Sequence, residues 1–229
     1  MDHPRPRAVV RTRPRKSSPP VQRYQLSVTL EDTKPPIWRR VVVRGDMKLG
    51  LLHAVLQIAM GWTNSHLHMF LIGADRFSDL TMVDDLDWDE NEDKDERNVL
   101  LSEVVGNGIN IFGYEYDFGD SWTHRVVVEK ELPPNSDSKV LAECVDGARA
   151  CPPEDCGGTG GYADLLKIIR NARHKEYKSM MEWLGGRFDA NAFDVEETNR
   201  FLGMLKWPRT SVTQLGTVIE ARLDQRERE

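Results

Sequence analysis

The sequence predicts an α+β fold: one compact domain with a mixed or mostly antiparallel sheet and helices packed on one side. Three observations predict it. Segments of strict apolar–polar alternation come early and in adjacent pairs, one strong helical pattern interrupts them, and the C-terminal third carries helical periodicity. The order strand, strand, helix, strand, then a strand pair and several helices is not the regular alternation of a doubly wound fold.

Tyr24–Glu31 (YQLSVTLE) alternates as a half-buried strand does, Pro35-Pro36 marks a turn, and the β-branched Ile37–Arg44 (IWRRVVVR) reads as its hairpin partner. Asp46 stands where an N-cap belongs. Leu49, Leu52, Val55, Leu56 and Ala59 then follow at helical spacing until Gly61, predicting a helix over 47–60. Leu67–Ile72 is a short strand. The acidic segment 84–97 is expected to be an exposed loop, since Asp84–Glu96 holds nine carboxylates against Lys94 alone. Ile109–Phe118 (INIFGYEYDF) and Trp122–Glu129 (WTHRVVVE) form an aromatic hairpin turning at Gly119-Asp120, with Pro133-Pro134 expected to stop the second strand. A long loop follows, then helices near Tyr162–Ala172, Lys175–Leu184 and Val195–Leu205.

The expected organisation is a disordered basic tail over 1–20, the α+β domain over 21–207, and a charged C-terminal segment over 208–229, whose last stretch, 217–229, is expected to fray. Residues 1–23 hold seven Lys/Arg against Asp2, a nucleic-acid-steering arm (residues 5–23) or a solubilising leader. Hydrophobic residues at 39% with 30% charged residues suit a soluble globular chain, and no run of 18 apolar residues offers a membrane span. No apolar stretch follows the basic N-terminus as a secretory signal requires, which leads to a cytoplasmic expectation. Three cysteines, an odd number, favour reduced thiols or metal ligands over a disulfide framework.

Three clusters can carry chemistry. His66 and His68 form an H-x-H pair, which on a strand points both imidazoles to one face where they can chelate a metal or simply pack. Tyr116, Asp117, Asp120, Trp122 and His124 lie at one hairpin end. Asp117-Phe118-Gly119 lacks every companion of the kinase magnesium motif, so the two aspartates serve either the turn or a metal. Cys144, Cys151 and Cys156 are not spaced as a zinc ribbon, and a zinc there would borrow His66, His68 or His124. Glu154-Asp155 lead into four glycines and Tyr162. A phosphate cradle is disfavoured there, because no G-K-[ST] follows and the two acids repel an anion. In an enzyme Glu154 or Asp155 would be the catalytic carboxylate.

The segments P-P-I-W-R-R-V-V-V (35–43), G-W-x-x-x-H-L-H-x-F (61–70), Y-x-Y-D-F-G-D-S-W-x-H (114–124) and C-x6-C-P-P-E-D-x-G-G-x-x-G-Y (144–162) occur in that order. In them the chain resembles the plasmid pRiA4b ORF-3-like family, also labelled insertion-sequence passenger or resolvase-like proteins, over about 21–205. The resemblance implies a compact α+β domain carried by plasmids and transposable elements. It also implies that His66 or His68, Tyr116, Asp117, Asp120, Trp122, His124, Cys144, Cys151, Glu154 and Asp155 define the family. No recombinase constellation accompanies the label. Two functions stay open: a binding module for a partner protein or nucleic acid, with Tyr116, Trp122 and Tyr162 on its surface, and a metal-dependent hydrolase or nuclease using zinc or another divalent ion at the His/Asp/Cys cluster.

Overall fold

The computed structural model describes residues 19–81, 93–135, 140–205 and 212–226. The chain is α+β and builds one mixed eight-stranded sheet: β1 (Val21–Leu30), β2 (Ile37–Arg44), β3 (His68–Ile72), β4 (Asp75–Ser78), β5 (Asp93–Asp95), β6 (Ile111–Tyr116), β7 (Trp122–Asn135) and β8 (Ala142–Ala148). Their order is β5-β4-β3-β6-β7-β1-β2-β8, and only β4 and β5 run parallel.

Alternation decides which side of the sheet carries the core. Tyr24, Leu26, Val28 and Leu30 of β1 are buried, as are Ile37, Val41 and Val43 of β2. Against this face lies helix α1 (Leu49–Met60), in which every residue but Gly50 is buried. A helix apolar on all sides needs cover on all sides. Helices α5 (Val195–Leu202) and α6 (Val212–Arg226) supply it, since both touch α1. Helices α2 (Leu101–Gly106), α3 (Gly158–Ile169) and α4 (Tyr177–Trp183), with a 3-10 turn at Glu96–Asn98, complete the described elements. Opposite the core, β1, β2 and β7 present polar groups such as Gln25, Arg40 and Glu129, with Arg40 Nε 2.7 Å from Glu129 Oε2.

Several expectations need correction. Asp46 does not cap α1: it is held by Arg44 at 2.7 Å, and the N-cap position is Lys48 in extended conformation without a side-chain bond. Strand β7 continues through Pro133-Pro134, because β6 ends opposite Val127 and beyond it β7 has only β1 beside it. The missing proline N–H therefore breaks no ladder on that side. The long loop before the glycines contains β8, an edge strand paired to β2. Asn199 of α5 closes that edge, accepting from Cys144 N and donating to Cys144 O, both at 2.7 Å.

The acidic segment is not exposed throughout. Asp93 and Glu96 are buried, Asp93 held by Arg76 Nε at 2.7 Å and Ser78 Oγ at 2.8 Å. The remainder of that segment up to residue 92 lies outside the described residues, as does the basic tail through residue 18. The C-terminal segment contains a docked helix over Val212–Arg226. Its helix α6 buries Leu215, Val218 and Ile219, and Arg222 Nη1 donates to Ile58 O of α1 at 2.8 Å. Apolar residues spaced three and four apart among its charges are what make this helix dock.

Replacing Asn199 by Ala removes both bonds to the β8 edge at once. The expected cost is about 1–3 kcal/mol, read as a lower midpoint in urea unfolding with an unchanged slope.

Candidate functional site

The β6–β7 turn fixes the first carboxylate. Asp117 takes a left-handed conformation (φ 58°), which Asp tolerates better than most residues. Its Oδ1 accepts from Gly119 N at 3.0 Å and Asp120 N at 3.3 Å. Its own N–H donates to Leu67 O at 2.9 Å, tying the turn to the start of β3. Turn chemistry thus occupies one oxygen and leaves Oδ2 for another partner.

The loop leaving α1 supplies the imidazole. Gly61 ends the helix at φ 104°, a conformation open to glycine, and Trp62 Nε1 donates to Pro152 O at 3.1 Å. Thr63 N and Oγ1 donate to Glu154 at 2.6 and 2.7 Å, and Tyr116 Oη donates to the same carboxylate at 3.0 Å while accepting from Ser65 N at 2.9 Å. Burial, then the neighbouring Glu154 carboxylate, push the Tyr116 hydroxyl well above its ordinary pKa.

The thiol-bearing loop closes the site. Gly157 N donates to Asp120 Oδ2 at 3.1 Å, and a Cβ on Gly158 would stand 2.6 Å from Asp120 O. The glycines before α3 therefore serve close backbone approach to the hairpin tip.

These three segments gather His66, Asp117, Glu154 and Asp155. His66 Nε2 lies 3.2 Å from Asp155 Oδ1, 3.6 Å from Asp117 Oδ2 and 4.0 Å from Glu154 Oε2. That nitrogen is buried and has no hydrogen-bond partner, so the Asp155 approach is close without being a hydrogen bond. One ligand atom each from His66, Asp117 and Asp155 lies within 4.8 Å of the others. Ligands about 2.0–2.2 Å from one tetrahedral ion stand roughly 3.3–3.6 Å apart, so two of the three separations already fit and the carboxylate pair would draw in. Asp117 is buried, whereas the Asp155 side chain is 71% exposed, leaving one side open to solvent.

The other candidates lie elsewhere. His68 stacks on His53 (centroids 3.4 Å, planes 7° apart) and meets Glu96 Oε2 at 2.9 Å. His124 is fully buried, with Nδ1 donating to Tyr114 O at 3.1 Å and its ring edge-on to Trp62; burial lowers it to about 4. Cys144 is buried under α5 with Sγ 3.5 Å from Asp146 O. Cys151 and Cys156 pack against the core, and burial raises all three thiols, Cys156 to about 12. Among the described residues no thiol joins a group with metal-ligand spacing. Trp122 is fully buried beside Trp62, and Tyr162 packs against Phe188.

Sequence reasoning missed Thr63, His53, Glu96 and Arg39. Arg39 is buried with its guanidinium donating to the carbonyls of Ala59, Trp38, Ala148 and Arg149 and stacked 3.9 Å from the Phe193 centroid. Its parity with Ile37, Val41 and Val43 was the available signal.

Burial raises Glu96 to about 7 and lowers His68 to about 4, so between those pH values the proton in their contact sits on the carboxyl. A folded-state pKa above the unfolded one favours folding at low pH, and that contribution is lost as pH rises from about 4.5 through 7. Glu96→Gln keeps a donor toward His68 without the titration. Its stability relative to the parent should be level near pH 4.5 and rise to an advantage of up to about 3 kcal/mol by pH 8, measured by urea unfolding across pH. A flat difference would contradict the raised pKa.

Residues 22–197 match the family described as plasmid pRiA4b ORF-3-like protein. An uncharacterized protein, y4hQ of Sinorhizobium fredii (strain NBRC 101917 / NGR234), is 36% identical over 189 residues, covering 81% of this chain and 94% of the relative. The crystal structure of a protein of unknown function, MM3350 from Methanosarcina mazei Go1, superposes with a TM-score of 0.68 at 30% identity, covering 77% of this chain and 97% of that one. No helix among the described residues is long and apolar enough to cross a membrane. With the matched span taking in the sheet, the hairpin tip and the glycine loop, the chain belongs to the plasmid pRiA4b ORF-3-like protein family.

Proposed function

We propose that this protein is a binding module organised around a divalent cation. His66 Nε2, Asp117 Oδ2 and Asp155 Oδ1 supply three ligands, and the open side beyond Asp155 leaves further positions for an anionic group of a partner. One observation carries the reading: a buried, unpartnered imidazole nitrogen faces carboxylates that would otherwise repel one another. The mixed N/O donor set suits Zn²⁺ or Mn²⁺, and no thiolate is needed. We place the protein in the cytoplasm of a plasmid- or transposon-bearing cell, in keeping with its three unpaired thiols.

The open coordination side also favours a second reading, a metal-dependent hydrolase in which the ion activates water. Its general base would be Glu154. Both Glu154 oxygens already accept, from Thr63 and Tyr116, so the carboxylate is committed to holding the loops together. Binding therefore ranks ahead of hydrolysis.

The full chain titrated with MnCl₂ or ZnCl₂ should gain about 5–10 °C in Tm at a hundredfold excess over Kd, with one ion per chain by elemental analysis. Asp117→Asn keeps the left-handed turn and the Oδ1 bonds, and should leave the metal-free Tm within about 2 °C while abolishing the shift. A full shift in both Asp117→Asn and His66→Ala would place the ion elsewhere. Metal-dependent hydrolysis of bis(p-nitrophenyl) phosphate, lost in Asp155→Asn, would bring the hydrolase forward.

A further inference from the structure

A positive stretch lies in the C-terminal half of the folded body. Residues 167–187 hold Lys167, Arg170, Arg173, Lys175, Lys178 and Arg187 against Glu176 and Glu182. Outside this stretch and residues 1–23, the chain carries 18 Lys/Arg and 34 Asp/Glu. All six cations are exposed, and among the described residues Arg170, Arg173 and Arg187 form no ion pair. The pairs that do exist are solvent-exposed, Lys178–Glu182 at 3.8 Å with side chains 91% and 69% exposed, and such pairs exchange readily for another anion.

The backbone holds this stretch in place. Arg170 caps α3, Asn171 Oδ1 accepts from Arg173 N at 3.0 Å, and Glu176 N donates to His174 Nδ1 at 3.2 Å before α4 begins. Helix α4 buries no residue fully: Tyr177, Met180, Met181 and Leu184 are half-buried at spacings of three and four, and Lys178, Ser179, Glu182 and Trp183 face solvent. Trp183, the last residue of α4, is 50% exposed.

We propose that the α3–α4 face, with Arg170, Arg173 and Arg187 on phosphates and Trp183 stacked on a base, is a binding surface for single-stranded nucleic acid. Unpaired arginines on an otherwise acidic body are complementary to a phosphodiester chain. An exposed indole at the end of α4, four residues before Arg187, offers a stacking platform that a paired base inside a duplex cannot use. The surface is independent of the proposed cation site, since none of its residues ligates the ion.

The test uses the full chain and a fluorescein-labelled thymidine 20-mer, followed by anisotropy between 50 and 200 mM NaCl. Binding should weaken steeply with salt. Arg170→Ser/Arg173→Ser/Arg187→Ser should lower affinity at least tenfold at 50 mM NaCl and reduce the log–log salt slope by about 2. Trp183→Ala should lower affinity about 5- to 100-fold. All these variants are at exposed positions, and unchanged Tm values confirm that they fold. A full chain with Arg5, Arg7, Arg11, Arg13, Arg15 and Lys16 changed to Ser should still bind in a Trp183-dependent way. Loss of all binding in that tail variant, indifference to both face variants, or equal Trp183-independent binding of a duplex would each overturn the proposal.

Discussion

One carboxylate holds the site together. Glu154 accepts three hydrogen bonds, two from Thr63 just after α1 and one from Tyr116 at the end of β6. Those bonds join the α1 exit loop, the aromatic hairpin and the Cys151–Cys156 loop, three pieces distant in sequence. His66 lies three residues beyond Thr63, Asp117 one beyond Tyr116, and Asp155 one beyond Glu154, so the clamp sets where all three approach one another. Charge-assisted hydrogen bonds to a largely buried carboxylate are among the stronger polar contacts a fold can use, and leaving such a carboxylate unpaired is costly.

The clamp rests in turn on a polar inlay beneath it. Tyr114 Oη accepts from Gln57 Nε2 at 2.9 Å and meets His53 Nδ1 at 2.9 Å; His53 Nε2 donates to Asn64 Oδ1 at 2.6 Å, and Asn64 N donates to Gln57 Oε1 at 3.0 Å. Each partner fixes the next: because the Asn64 oxygen can only accept, His53 carries its proton on Nε2 and takes one from Tyr114 on Nδ1. Burial lowers His53 to about 3, so this ring stays neutral at ordinary pH. A closed ring of satisfied groups within an apolar core specifies one geometry, and here it fixes the loop that carries His66.

What could be read from the sequence follows from range. The hairpin of β1 and β2, helix α1 and the β6–β7 turn are written in local periodicity and turn chemistry, and they appear where alternation puts them. Strand β8 was missed because a seven-residue edge strand is stabilised by Asn199, fifty-five residues away. Helix α6 was missed because its apolar positions are few and derive their meaning from α1. His66 could be separated from His68 only in space: the two flank Leu67, yet β3 begins at His68 and turns it toward His53 and Glu96, while His66 stays in the loop facing the hairpin tip. The thiols stood out by residue type, but they are held against the core and under α5, and among the described residues none shares metal-ligand spacing with other donors.

Charge along α3 ties the two proposed surfaces into one layout. Its N-terminus sits on the acidic tip, where Asp120 takes the Gly157 N–H, and its C-terminal turn carries Lys167 and Arg170. Both placements follow the helix dipole, which favours anions at the first turn and cations at the last. Twelve residues at 1.5 Å each separate the two ends by about 18 Å. That exceeds the Debye length of about 8 Å at physiological salt, so charges at one end scarcely feel those at the other through solvent. An acidic pocket suited to a cation and the cations at the C-terminal end of α3 can therefore coexist on one small, net-negative domain without neutralising each other.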